Sequence, residues 1–188
     1  ITVTKDMFFT IPNDYMRLGI VEEEIISVKE ALYGSMLLSA NDTAMALGIK
    51  VSGTNEEFVD LMNKRAAELG CTNTSFTNSY GYADPNHLTT AHDMSLILSA
   101  ALDNENFIDI ARTRYYSMEP TNLWDKNRGM YNSNKLLFSS DYYYEYAVAG
   151  KTGYTDLSKN TFVVGARKGG QTLIAVILGA ELNNDRFE

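Results

Sequence analysis

Apolar positions along this chain recur at two spacings, and the change from one to the other falls near Tyr142. Before it the spacing is mostly helical. Ser27-Val-Lys-Glu30 has capping-box spacing, and the helix it opens continues through residues 31–38, apolar nearly all round and therefore buried. Ser39-Ala-Asn-Asp42 interrupts it with residues that favour caps and turns, and a second helix is predicted over 43–50. Thr54-Asn-Glu-Glu57 is another capping box, followed by Phe58, Leu61, Met62, Ala66 and Leu69 at helical spacing and by Gly70 as the stop. Thr90-Ala-His-Asp93 opens a further helix with Met94, Ile97, Leu98 and Ala101 on one face, and a short helix is predicted over 107–111. Residues 1–4 and 114–118 read as strands, whereas 5–21, 71–87 and 122–137 read as loops.

After Tyr142 the period becomes two. Strands are predicted over 146–153, 161–167 and 172–178, with Lys168-Gly-Gly170 as a hairpin turn between the last pair. Sequential strands with tight turns imply an antiparallel meander. Helices first and sheet last give an α+β class: an antiparallel sheet flanked by helices, with a mostly helical subdomain.

Length and charge narrow the picture. The chain has 188 residues, 45% hydrophobic and 21% charged, enough for one domain with a real core and far from the composition of disordered chains. A net charge of −8 argues against nucleic acid as a partner, since phosphate binding needs a basic patch. The single Cys71 cannot form an internal disulfide. The longest apolar run, near 173–178, is too short to span a bilayer. Ile1 is not a start, and the sequence shows no charged n-region followed by an apolar h-region, so the chain is expected to be a piece of a longer precursor: a single, incomplete domain over 1–188, truncated at its N-terminus.

Two short stretches carry candidate chemistry. In Lys151-Thr-Gly153 a lysine offers a point charge and a threonine a hydroxyl donor, while a glycine lets a bound backbone lie close to the strand. The plainer alternative is a solvent-facing lysine and a glycine at a bulge. Ser39 and Asn41 lie two apart between apolar helices, where a serine can pass a proton and an asparagine can hold a peptide group by donor and acceptor together. Their plainer alternative is a helix cap. His87 and His92 have no third donor at metal-ligand spacing, Cys71 reads as a small buried residue, the run from Tyr142 to Tyr146 as strand packing or a groove lining, and Glu22-Glu-Glu24 as a solvated turn.

Ser39-Ala-Asn41 with Lys151-Thr-Gly153 resembles the second and third motifs of the serine DD-peptidase and β-lactamase superfamily, whose first motif is Ser-x-x-Lys. Leu-Leu-Ser-Ala-Asn-Asp42, Asn73-Thr-Ser-Phe76, the stretch from Asp84 to Met94, Asn134-Lys-Leu-Leu137 and Gly150-Lys-Thr-Gly-Tyr-Thr-Asp156 are similar to low-molecular-mass D-alanyl-D-alanine carboxypeptidases, over nearly the whole chain. That resemblance implies that Ser39 relays a proton to the leaving amine and that Asn41 holds the acyl side chain of the substrate. It gives Lys151 an electrostatic role near Ser39, Thr152 a hydrogen bond to the terminal carboxylate, Gly153 close approach of the bound peptide, and the backbone amide of Tyr154 half of an oxyanion hole.

The implied partners are a peptidoglycan stem peptide ending in D-Ala-D-Ala and, for the full-length protein, β-lactams. The implied location is extracytoplasmic in a bacterium, with any membrane association through segments outside this chain and no cofactor or metal. The chain departs from the family in one large respect: no serine stands three residues before a lysine. Nucleophile and base are therefore expected outside it, leaving the chain inactive alone. Leu157-Ser-Lys-Asn160 stands where the family has Gly and Ala, and Thr172 where members often have Arg. The alternatives are a β-lactamase of the same fold, disfavoured by Ser-Ala-Asn in place of Ser-Asp-Asn, and a catalytically silent peptidoglycan-binding module.

Overall fold

A computed structural model describes residues 1–139 and 141–188. In chain order the helices are α1 (Val28–Tyr33), α2 (Asn41–Ser52), α3 (Asn55–Glu68), α4 (Ala91–Ala101) and α5 (Glu105–Arg112). The strands are β1 (Tyr115–Met118), β2 (Arg128–Tyr131), β3 (Ala147–Thr155), β4 (Lys159–Lys168) and β5 (Gln171–Ala180). The residues gather into two units, one of Ile1–Leu61, Asn78–Gly81 and Tyr115–Asn132, the other of Met62–Thr77, Tyr82–Arg114 and Ser133–Glu188.

In the first unit, the predicted cap of α1 forms in full: Ser27 Oγ accepts from the Glu30 amide at 3.1 Å while Glu30 Oε2 accepts from the Ser27 amide at 2.7 Å. The helix then widens into a π-turn over Gly34–Leu38 and stops. Gly34 is required where the chain passes α2, because a Cβ there would meet Thr43 Oγ1 at 2.9 Å. The predicted strand at residues 1–4 reduces to one bridge, Thr2 to Ile25, and among the described residues its backbone pairs with the segment around Glu24.

Two readings change in this unit. Residues 128–131, taken as loop, form β2 and pair antiparallel with β1 from Tyr115–Tyr131 to Met118–Arg128. The pairing buries Met118 and Met130 completely. Glu22 and Glu23 are exposed as expected of a solvated turn, but Glu24 is fully buried. Its carboxylate accepts from Arg128, from Thr121 Oγ1 at 2.8 Å and from the Val21 amide at 3.1 Å. A buried carboxylate is tolerable only with such replacement of water by donors and a counter-charge.

In the second unit, β3, β4 and β5 form an antiparallel sheet in that order, as the alternation predicts. Lys168 pairs with Gln171 across a two-residue turn, and Gly169 and Gly170 take φ of 58° and 80°, the left-handed values such a hairpin needs. One face carries Phe162 and Val164 against Phe187, Leu136 and Tyr142. On the other, a Cβ at Gly165 would meet Leu102 Cδ1 at 2.7 Å, so this glycine is what lets the end of α4 lie on the sheet. Thr90 Oγ1 caps α4 by accepting from the Asp93 amide at 3.1 Å. The Asp93 carboxylate is buried, which opposes its charge, yet hydrogen bonds from Thr74, the Asn73 amide, His92 and Thr90 hold its pKa below the usual value. Cys71 is buried beside it, its thiol pushed up by burial and by Asp93.

Candidate active site

Ser39 terminates the π-turn with φ 58° and ψ 36°, a left-handed conformation costing a non-glycine residue about 1–2 kcal/mol. Its amide donates to Gly34 O, the wide i to i+5 closure that ends the helix. Ala40 is extended and α2 begins at Asn41, two residues earlier than the apolar pattern suggests. The two polar residues that start α2 hold the turn in place. The Asn41 amide and side-chain Nδ2 both donate to Met16 O, at 2.9 and 2.8 Å, and Nδ2 also donates to Ser39 O at 3.3 Å. The donor half of Asn41 is thus engaged by the backbone, and only its Oδ1 acceptor has no partner among the described residues. Asp42 is fully buried, with Oδ1 accepting from the Leu18 and Thr43 amides at 3.0 and 2.9 Å and Oδ2 from those of Gly19 and Ile20 at 2.8 and 3.2 Å. Asp42 therefore fixes residues 18–20 to the start of α2, a role larger than the helix cap its position alone suggests.

Lys151, Thr152, Gly153 and Tyr154 lie consecutively on β3, at an edge of the sheet, opposite Val163, Phe162, Thr161 and Asn160. The bulge of this strand lies between Ala147 and Ala149, not at a glycine of the motif. Lys151 is half-buried, not solvent-facing, and Nζ donates to Thr152 O at 2.8 Å. Desolvation, with Arg186 as a second cation, pushes this ammonium down from the ordinary 10.5 to about 8. Thr152 is buried, and its Oγ1 lies 2.5 Å from Ser133 Oγ. The Tyr154 ring is exposed, with its hydroxyl donating to Asp156 Oδ1 at 3.0 Å, and that hydrogen bond and charge raise the phenol's pKa.

The glycines here answer to the protein's own atoms. A Cβ at Gly150 would meet Asn134 Nδ2 at 2.9 Å and Val163 O at 3.0 Å, and one at Gly153 would meet Thr161 Oγ1 at 2.5 Å. After β3, Thr155 Oγ1 accepts from the Ser158 amide at 2.9 Å, and Lys159 takes φ 56° where a glycine would sit without strain.

Three residues of this region carried no assigned role in the sequence reading. Arg186 Nη1 donates to Gly153 O at 2.8 Å and Thr161 O at 3.3 Å, bracing the strand pair from a segment with no periodic pattern of its own. Asn134 is fully buried, capping the 3-10 turn Lys135–Leu137 by accepting from the Leu136 amide at 3.1 Å. Ser133 beside it is exposed. The polar-then-apolar run Asn132-Ser-Asn-Lys-Leu136 was the available signal for the last two. His87 Nδ1 accepts from the Thr77 amide at 3.2 Å, and burial lowers its pKa. His92 Nδ1 lies 3.4 Å from Asp93 Oδ1. Each set of candidate residues is contiguous within its own unit: Ser39 and Asn41 on one turn, Lys151 to Tyr154 on one strand.

The family profile described as D-alanyl-D-alanine carboxypeptidase matches residues 4–182. The chain belongs to this family. It is 37% identical over 164 residues to the D-alanyl-D-alanine carboxypeptidase DacF of Bacillus subtilis, covering 87% of this chain and 40% of that protein. It is 34% identical over 162 residues to DacC of Escherichia coli, covering 86% and 38%. Among solved structures, a Streptomyces DD-transpeptidase matches with a TM-score of 0.88 at 28% identity, over 99% of this chain and 73% of that one. A Mycobacterium tuberculosis D-alanyl-D-alanine carboxypeptidase matches at 0.82 and 29%, over 95% and 64%. The α+β class and the DD-peptidase resemblance read from the motifs are both borne out. The chain spans about two fifths of the length of the first two relatives.

Proposed function

We propose that this chain is part of a serine-type D-alanyl-D-alanine carboxypeptidase that acts in the bacterial cell envelope, outside the cytoplasm. Its substrate is a peptidoglycan stem peptide ending in D-Ala-D-Ala, and β-lactams acylate the same serine. The observation that carries this reading is Lys151 on the edge strand β3: a half-buried ammonium with Arg186 as a neighbouring cation, in a family whose third motif is Lys-Thr-Gly. A paired cationic environment at a sheet edge suits an extended peptide that ends in a carboxylate.

In this reading a serine hydroxyl attacks the penultimate D-Ala carbonyl, forming an acyl ester. The C–N bond breaks and the terminal D-Ala leaves as an amine that takes up a proton; water then hydrolyses the ester. Residues 1–188 hold no Ser-x-x-Lys, so the acylated serine and its lysine base lie outside them. Ser39 passes the proton to the leaving amine. Asn41 holds the acyl side chain through Oδ1, its amide hydrogens being committed to the backbone. Lys151 supplies positive charge, Thr152 receives the terminal carboxylate, Gly153 lets the peptide approach, and the Tyr154 amide donates to the oxyanion.

The test is release of D-Ala from a peptide ending in D-Ala-D-Ala by the protein expressed from the complete reading frame. Release blocked by prior penicillin labelling is expected. Turnover of penicillin without D-Ala release would mean a β-lactamase, and peptide binding without release a silent module.

A further inference from the structure

We propose that the outer face of the β1–β2 ribbon is a platform for a neutral sugar chain, the glycan strand to which the stem peptide is joined; the choice of glycan rests on the proposed function. Side chains alternate across a strand, and here the inner face is spent on the core: Tyr116 stacks on Tyr33 with centroids 4.0 Å apart, and Met118 and Met130 are fully buried. The outer positions are Tyr115, Ser117, Gly129 and Tyr131, with Tyr115 opposite Tyr131 and Ser117 opposite Gly129. Tyr115 is 47% exposed and Tyr131 71%, although the two rings touch, their centroids 4.7 Å apart and their planes tilted by 45°. Gly129 makes room for them. A Cβ there would meet Tyr115 Oη at 3.0 Å and Cε2 at 3.1 Å, so the ring lies across the glycine, along the ribbon.

Chemistry selects the occupant. A pyranose has a C–H face and a rim of hydroxyls, and its polarised C–H bonds sit well on the electron-rich face of a phenol. Two adjoining rings set at an angle suit successive sugars turned against each other across a glycosidic bond. The hydroxyl rim finds partners beside them. Asn127 Nδ2 donates to Ser117 Oγ at 3.2 Å, which leaves, among the described residues, the Ser117 proton and Asn127 Oδ1 for an outside molecule. None of the four outer positions is charged, and a net charge of −8 disfavours an acidic polymer. A second protein fits poorly, because two rings at these exposures offer roughly 200–300 Å² where a stable interface takes about 800 Å² from each partner. Strand β2 also lies against the π-turn that ends at Ser39, so a sugar chain held on the ribbon stays close to that turn.

The experiment titrates the complete protein with a β-1,4-linked N-acetylglucosamine hexasaccharide by calorimetry and follows D-Ala release from a free D-Ala-D-Ala peptide alongside. The wild type should bind the sugar. Tyr131→Ala should weaken binding about tenfold, the scale of one lost aromatic contact, and Tyr131→Phe should retain it. D-Ala release from the free peptide should be the same in all three. Should Tyr131→Ala lower the urea midpoint, Tyr131→Leu, which keeps bulk without a π face, makes the same comparison. D-Ala release without sugar binding, or binding that survives in both the Ala and Leu variants, overturns the inference alone. So does a halving of mass by light scattering in Tyr131→Ala, which would make the ring pair a contact between copies of the chain. Sugar binding without D-Ala release overturns the proposed function and leaves the platform standing.

Discussion

Ser39 and Lys151 are presented by opposite means. Ser39 sits at φ 58° on a turn that local sterics disfavour, and the turn persists because Asp42 gathers four backbone amides and Asn41 ties the chain to Met16. Lys151 sits on regular strand in register with β4, and what it needs is clearance: Gly150 and Gly153 where side chains would collide, with Arg186 bracing the carbonyls behind. One arrangement stores strain and offsets it with a buried charge; the other excludes volume. They should fail differently.

The largest effect is expected at the turn. Asp42→Ala strands four amides in a buried site and should cost about 3–5 kcal/mol in urea unfolding, whereas Asp42→Asn, which keeps an acceptor, should lose less than half as much. At the strand, Gly150→Ala drives a methyl toward Asn134 and the fixed carbonyl of Val163 and should cost about 1–3 kcal/mol. Gly153→Ala meets only the Thr161 hydroxyl, so a Thr161→Ala second change should recover most of its loss.

Charge separates the regions further. With its folded pKa near 8 against an ordinary 10.5, Lys151 binds its proton more weakly in the folded state than in the unfolded one. Its contribution therefore lowers stability below pH 8, and stability recovers as pH rises from about 8 to about 10.5. Lys151→Met should remove that rise from a urea series. Arg186→Gln should move the lysine's titration midpoint upward by NMR, and D-Ala release should decline above pH 8 as the ammonium is lost. The smallest change is Ser39→Gly, which relieves left-handed strain and should stabilise by up to about 1 kcal/mol, net of glycine's unfolded-state entropy. D-Ala release should collapse in the same variant, the mark of strain kept for function.

Legibility in the sequence followed the same division. Strands β3 to β5 announce themselves by period two and by Gly169-Gly170, and the caps at Ser27 and Thr90 by side chains that bond to their own helices. These are local signals. What stayed hidden depends on distant partners. Strand β2 has one buried side chain, Met130, and exists only because β1 lies beside it. Glu24 reads as solvated until Arg128, more than a hundred residues away, is folded against it. Asp42 reads as a cap until residues 18–20 arrive, and Arg186 reads as nothing until it meets the carbonyls of Gly153 and Thr161. The motif residues were legible as a pattern; the residues that hold them were not.

In the proposed function, residues 1–188 carry the substrate-binding side of a DD-peptidase and not its nucleophile. Mapping the penicilloyl adduct by mass spectrometry after labelling tests it most directly. The protein from the complete reading frame should carry one adduct, on a serine outside residues 1–188, and the 188-residue chain alone should carry none. An adduct on Ser39 or any other serine of this chain would contradict the account.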